Sequence, residues 1–570
     1  MKNVHALRLF AAALAASALQ AAPAIFPLAD IRAGQHGIGR TVFSGTKIEE
    51  FQVDILGVLE NIGPGESIIL ARLSGGPLAN TGVMQGMSGS PVYIDGRLAG
   101  AVALGFPLSK EAIAGIRPIE EMLRVDPDAK PANNLASLPP RHGVPAGNAR
   151  LEEIATPVSF SGFTAGALEH FSAQLRELGL DPRQGISGGG NPSGPLGDPR
   201  QLQPGSMISV QLLSGDMSVG ADGTVTCIDG NHIYAFGHRF LAAGSTELPF
   251  ARSEVLALLP NLSASFKIST AREWMGAITE DRNNAISGVL GRRAATVPLE
   301  IKVGSHSYRM NMIQDRVMTP LVTQMAVFSA IDATERGLGA SAFSVRGRLD
   351  FSGGSVRVDN VYSGDISVPA LAAQGVATPL SYALLSGFDA LKLSGVELEI
   401  SSVDRHSQVQ IADAVAPRQV HPGDDVELTV TFAGENGAET SRGIHYHVPV
   451  GAPPGVLYFT AADASYTNLL DLQAAMNTPL RSPAQALGIL NDLRANTKAY
   501  VRVWRAESDF TVEGRDLPAP PPSLSLILAR DQAGAGAIVS QRGSKLAEIE
   551  VPAGEYVVTG NKTIQVEVKE

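Results

Sequence analysis

From Gln35 to Asn61 apolar and polar positions partly alternate, and Gly37, Gly39, Gly45 and Gly57 interrupt the run. The stretch Phe51-Gln52-Val53-Asp54-Ile55 has the period of two that a half-buried strand requires. Ser67–Leu73 predicts a second strand, and two apolar runs around Asp95-Gly96 predict a hairpin, because Asp-Gly supplies the backbone that a tight turn needs. Between 111 and 124 the spacing of Ile113, Ile116, Ile119 and Leu123 predicts a helix capped or kinked at Pro118. Leu168, Phe171, Leu175 and Leu178 predict an amphipathic helix over 168–180. Strands follow at 207–213, 224–228, 233–236, 254–259 and 298–303. Residues 320–415 then mix Ala/Leu-rich helical stretches with strands such as 396–401. From His421 the pattern changes to a turn feeding the alternating run Val426–Phe432, the opening of a small β-sandwich. Residues 464–495 read as helix broken at Pro479 and Pro483, and Pro518–Pro522 as a stiff spacer before a β-rich tail.

Composition supports a strand-rich reading. The 570 residues include 60 Gly and 36 Pro but only 5% aromatics, which fits many turns and short strands better than a bundle. The formal net charge of -11 and the lack of a basic tract argue against nucleic acid as a partner. Residues 1–24 have the layout of an export signal: Lys2 and Arg8, an apolar run from Leu9 to Leu19, then small residues. No later stretch is apolar for long enough to span a bilayer. The single cysteine, Cys227, excludes an internal disulfide and any cysteine-based metal cluster. Linker-like composition at about 126–204 and the changes at 416 and 517 divide the chain into 1–24, 25–415, 416–516 and 517–570.

The chemistry concentrates at Gly86-Met87-Ser88-Gly89-Ser90-Pro91, directly before the hairpin. Glycines around a serine let backbone N–H groups converge beside a hydroxyl, the two parts that acyl transfer requires. The same string is also an ordinary turn unless a base accompanies it. Among eleven histidines, His238 stands out, because the apolar strand Ile233–Phe236 ends at Gly237 and delivers it. The other reading is a core histidine satisfied by a carbonyl. His36, in a Gly-rich turn, is the second candidate. His445 and His447 alternate on a strand but lack a fixed third ligand, so no metal is expected there. Gly188-Gly189-Gly190 lacks the Lys-Ser/Thr ending of a phosphate loop and reads as a connector.

The serine loop with its hairpin, the Ala235-Phe236-Gly237-His238 strand end, Pro204–Asp216 and Gly276–Gly291 together resemble the SpoIVB family of bacterial serine peptidases. The resemblance covers about residues 30–300. It implies a mainly β chain with some α, built on a chymotrypsin-like double β-barrel peptidase core, with Ser88 as nucleophile and His238 as general base. The loop position suggests the N–H groups of Gly86 and Ser88 as oxyanion donors. Two departures stand out. In the sporulation member the histidine element precedes the serine loop, whereas here Ser88 comes first, an order to which triad geometry is indifferent. The acid expected shortly before the serine is missing from Arg72-Leu73-Ser74-Gly75-Gly76, and no PDZ domain is evident. Asp281, in a family-like segment, is the choice for third member. A Ser–His dyad and a surface aspartate beside Arg282 are the alternatives.

The expectation is an exported serine endopeptidase, in the periplasm, at the cell surface or outside the cell. It would need no cofactor and would act on a protein or peptide, its own chain included. The rival is a non-catalytic envelope protein that keeps the scaffold for protein or glycan binding.

Overall fold

A computed structural model describes residues 23–570 except 107, 129–143, 147–148, 155, 186–193, 335–340, 365–366, 404–407, 435–436, 477–479, 513–514, 518–520, 532–537 and 555. Of the expected signal only Pro23 and Ala24 are among the described residues. Gly188–Gly190 and the first part of the proline-rich spacer also lie outside them. The chain is mainly β and forms two compact units.

The first unit comprises the chain up to Ser159 together with Leu175–Gln211 and Gly220–Ala294. Its first ring takes β1 (His36–Ser44), β2 (Lys47–Gly63), β3 (Glu66–Ser74), β4 (Pro91–Ile94), β5 (Arg97–Gly105) and β6 (Ile113–Pro118). The order β4-β1-β2-β3-β6-β5 closes through β4–β5 into a barrel. Closure along Arg97–Ala101 of β5 leaves one interior, filled by Phe51, Val53, Ile69, Met84, Met87, Val92 and Ile116. Each such side chain contributes about 1.5–3 kcal/mol by leaving water.

The β4–β5 turn is the expected hairpin, with φ of +49° at Asp95 and +72° at Gly96. The helix expected over 111–124 is instead β6 followed by a single turn, Ile119–Met122. Residues 114–118 are all buried, Ala114 and Ile116 in the barrel core and Arg117 beside Glu121, so both strand faces are covered and the spacing mimics a helix.

Four strands follow: β7 (Val144–Ala146), β8 (Ala149–Glu153), β9 (Thr156–Ser161) and β10 (Leu180–Gln184). β8 joins the first barrel on β5. The second ring takes β11 (Met207–Gly215), β12 (Ser218–Asp229), β13 (His232–Ala235), β14 (Gly244–Leu259), β15 (Phe266–Arg282) and β16 (Ala285–Leu290). Its order β12-β13-β16-β15-β14-β11 closes through β11–β12, and β9 lies along β12. The barrels touch where Gly45 and Val255 exchange both backbone hydrogen bonds at 2.8 Å.

In the second unit, strands His306–Ile313, Thr296–Val303, Leu393–Ser402, Ser341–Phe351 and Gly354–Gly364 adjoin in that order. Helices Met318–Thr334 and Val368–Leu384 pack on this sheet. The C-terminal region is a β-sandwich. One sheet runs Glu439–His447, Asp425–Gly434, Gln408–Val415, Val557–Thr559, and the other pairs Asn561–Val568, Gly455–Ala462, Lys498–Val512 and Ile538–Pro552. Ile411, Leu428, Phe432, Phe459, Val501 and Val566 share its core. The sandwich therefore takes strands from both sides of the proline-rich spacer. Among the described residues no helix is long and apolar enough to cross a membrane.

Cys227 lies 1% exposed in the core that joins β5 to β12, and burial pushes its thiol up to about 12. A thiol reagent such as Ellman's should therefore leave the native protein unreacted at neutral pH and titrate one thiol after denaturation. Prompt reaction of the folded protein would contradict this packing.

Candidate active site

Ser88 is encoded in the first barrel but fixed by the second. Before it, Gln85 donates its N–H to Ser265 at 2.9 Å and accepts from Lys267 N at 3.2 Å, so the loop starts as a strand added beside β15. Thr224 and Thr226, two apart on β12, face the loop together. Thr224 Oγ1 donates to the Gly86 carbonyl at 2.9 Å and Thr226 Oγ1 to the Gly89 carbonyl at 2.8 Å. Thr224 N donates to the Ser88 carbonyl at 2.8 Å. On the other side β5 holds the loop: Gly89 N donates to Val102 O at 2.7 Å and Val102 N to Ser90 O at 2.9 Å. All three carbonyls are thus engaged, while among the described residues the N–H groups of Gly86 and Ser88 have no acceptor.

Glycine is required where the loop meets β12. Gly89 has φ of +92°, and a Cβ there would sit 2.0 Å from Thr224 O and 2.5 Å from Phe236 N. That contact brings the serine loop against the end of β13, two residues before His238. Phe236 itself has φ of +69°, uncommon for a bulky residue, and Gly237 has +71°. This double left-handed step turns the chain off β13 toward the first barrel, where Gly237 packs against Ala101 and Ala103.

Ser88 is 2% exposed and His238 0%. Among the described residues Ser88 Oγ has no hydrogen-bond partner. His238 Nδ1 lies 2.6 Å from the Arg239 carbonyl. A carbonyl accepts only, so Nδ1 carries the hydrogen and a neutral ring keeps its lone pair on Nε2.

Asp281 is fully buried at the end of β15, not on a surface turn. Its carboxylate accepts from Phe240 N at 2.8 Å, Leu241 N at 2.6 Å and Ala243 N at 3.2 Å. It therefore gathers the backbone directly after His238. Arg117, buried beside Glu121, reaches the Gly237 carbonyl at 3.4 Å. The loops bearing Ser88, His238 and Asp281 thus converge. His36 lies apart, exposed and paired with Asp54 at 2.7 Å. His445 and His447 face Glu427 and Asp425 on the sandwich surface. Among the described residues no cluster of three or more His, Cys, Asp or Glu could hold a metal.

Sequence reasoning missed the residues that hold the serine loop. Thr224 and Thr226 could have been found, since two threonines alternate on a strand otherwise read as apolar. Beside them, Lys267 is 2% exposed, with its stem against Gly86 and its ammonium donating to Thr41 Oγ1 at 2.7 Å. Burial lowers Lys267 to about 7 against the opposing charge of Asp222. Burial raises Asp222 to about 6, against the hydroxyls of Ser209, Ser269 and Ser159 and the Lys267 charge.

Residues 12–123 match the model of the SpoIVB peptidase S55 family. The segment that forms the first barrel and carries Ser88 is therefore of a serine peptidase type. His238 and Asp281 lie beyond the matched residues. No curated protein and no solved structure matches the chain.

The buried pair sets a pH dependence. The fold favours neutral Lys267, so its contribution is complete above the unfolded value near 10.5 and is lost as pH falls through about 7. Asp222 acts oppositely: its contribution is complete below 3.8 and is lost as pH rises through about 6. Raising the pH from about 7 to about 9 should stabilise the protein relative to Lys267→Met by about 1–2 kcal/mol. Calorimetric melting of both proteins at the two pH values measures it, and parallel shifts would contradict the assignment.

Proposed function

We propose that the chain is an exported serine endopeptidase that cuts peptide bonds through an acyl-enzyme on Ser88. One observation carries this reading. The loop has all three carbonyls tied down, keeps the N–H groups of Gly86 and Ser88 for a ligand, and is bonded to the barrel that delivers His238.

In this reading Ser88 Oγ bonds to the substrate carbonyl carbon while His238 Nε2 takes its proton. The carbonyl electron pair moves onto oxygen, facing the N–H groups of Gly86 and Ser88. The C–N bond then breaks, and the amine leaves with the proton from the imidazolium. Water, deprotonated by the same imidazole, releases the acid and restores Ser88. The Arg239 carbonyl fixes the tautomer, and Asp281 acts as a positioning residue that holds 240–243. Export rests on the pattern of residues 1–24. Maturation by removal of that segment, read from the N-terminus of protein recovered outside the cytoplasm, tests it.

The burial of Ser88 favours the second reading, a silent scaffold in the envelope. A fluorophosphonate, which reacts only with an activated serine, separates the two. We expect labelling of the wild type, none in Ser88→Ala, and a loss of at least about 10³-fold in His238→Ala with the fold retained. The double variant should be hardly worse than either single one. Labelling of Ser88→Ala would refute the mechanism.

Asp281→Asn should release part of the 240–243 backbone and lower turnover by about 10- to 100-fold while Ser88 stays in place. Unchanged turnover on casein would remove Asp281 from the machinery.

A further inference from the structure

One edge of β5 is shared by three partners in succession. β4 pairs with it as far as Ala101, the serine loop bonds at Val102, and β8 takes over beyond. Ile154 N donates to Ala103 O at 3.0 Å, Leu104 faces Glu153, and Gly105 faces Glu152. Residues 152–154 therefore run antiparallel to β5, N to C, toward the residue that holds Gly89. From Thr156 the chain continues as β9 along β12 of the second barrel. Residues 152–154 thus continue the edge of β5 where the serine loop leaves it, directed toward Val102, as an extended peptide that presents its carbonyl side to Ser88 would be.

The side chains of this segment are seated as well. Leu151 is 0% exposed among Ile68, Ala103 and Leu104. Ile154 is buried in the cluster that contains Met84, just before the serine loop, and Met87, within it. Glu153 is largely buried, with Oε2 3.6 Å from Arg239 Nε, on the residue whose carbonyl holds His238.

We infer that Ala103–Gly105 is the docking edge for the acyl side of a substrate and that residues 151–154 are its built-in occupant. This rests on the reading of Ser88 and His238 as the reacting pair. Main-chain hydrogen bonds to β5 recognise any extended peptide. Side chains then select: Arg239 takes an acidic residue where Glu153 lies, and the Met84–Met87 cluster takes an apolar one where Ile154 lies. The substrate class is an extended chain with an acidic residue followed by an apolar one.

The test follows fluorophosphonate labelling of Ser88 in the full chain, wild type against Glu153→Arg, with and without a synthetic peptide of residues 150–156. Reversing the charge beside Arg239 should loosen the occupant and speed labelling about tenfold. The peptide should slow labelling of that variant, and the same peptide with Lys for the second Glu should not. If Glu153→Arg does not fold, Glu153→Gln is read in the same way. Equal rates in wild type and variant with no competition would overturn the docking edge and leave the peptidase reading standing. No labelling of any protein would overturn the peptidase reading itself, and the edge with it.

Discussion

The rest of the site depends on the hydrogen bonds from Thr224 and Thr226 to the carbonyls of Gly86, Ser88 and Gly89. A peptide loop with left-handed glycines has many accessible shapes, and only an external template selects one. β12 is that template. By engaging the carbonyls it fixes the loop while, among the described residues, the N–H groups of Gly86 and Ser88 keep no acceptor. A buried carbonyl without a donor costs about 1–3 kcal/mol, so each threonine also removes a penalty the interface would otherwise carry.

The same interface tolerates unusual burial of charge. Lys267, its stem against Gly86, and Asp222, among the hydroxyls of Ser209, Ser269 and Ser159, lie almost wholly out of water. Well-packed apolar residues of similar volume often match or exceed the stability of such a pair, so stability alone does not explain it. Its geometric effect is plain. The lysine stem supports Gly86 while its ammonium reaches Thr41 on β1, tying the loop's underside to the first barrel.

Much of the scaffold was legible in the sequence. Alternation at Phe51–Ile55, the Asp95-Gly96 turn and the short strands at 207–213 and 233–236 mark the barrels, because a period of two survives wherever one face is polar. It fails at β6, where both faces are covered and only buried spacing remains. The turns that carry Ser88 and His238 were legible from their glycines, which are local signals. The threonine clamp, the Lys267–Asp222 pair and the seat of Glu153 were not. Each joins residues far apart in the chain, and nothing in either partner's neighbourhood announces the other. Asp281 falls between: its acidity was visible, but its grip on three backbone N–H groups depends on the turn after His238.

The clamp also bears on when the site can exist. Thr224 lies 138 positions from Gly86, and Thr226 lies 137 from Gly89. Contacts of such span form late, after the entropy of closing the intervening loop has been met. A chain still emerging from its ribosome that completes the first barrel, serine included, holds no shaped loop until the second barrel docks. Folding order itself would then keep a nascent chain from cutting its neighbours, with no separate inhibitor required.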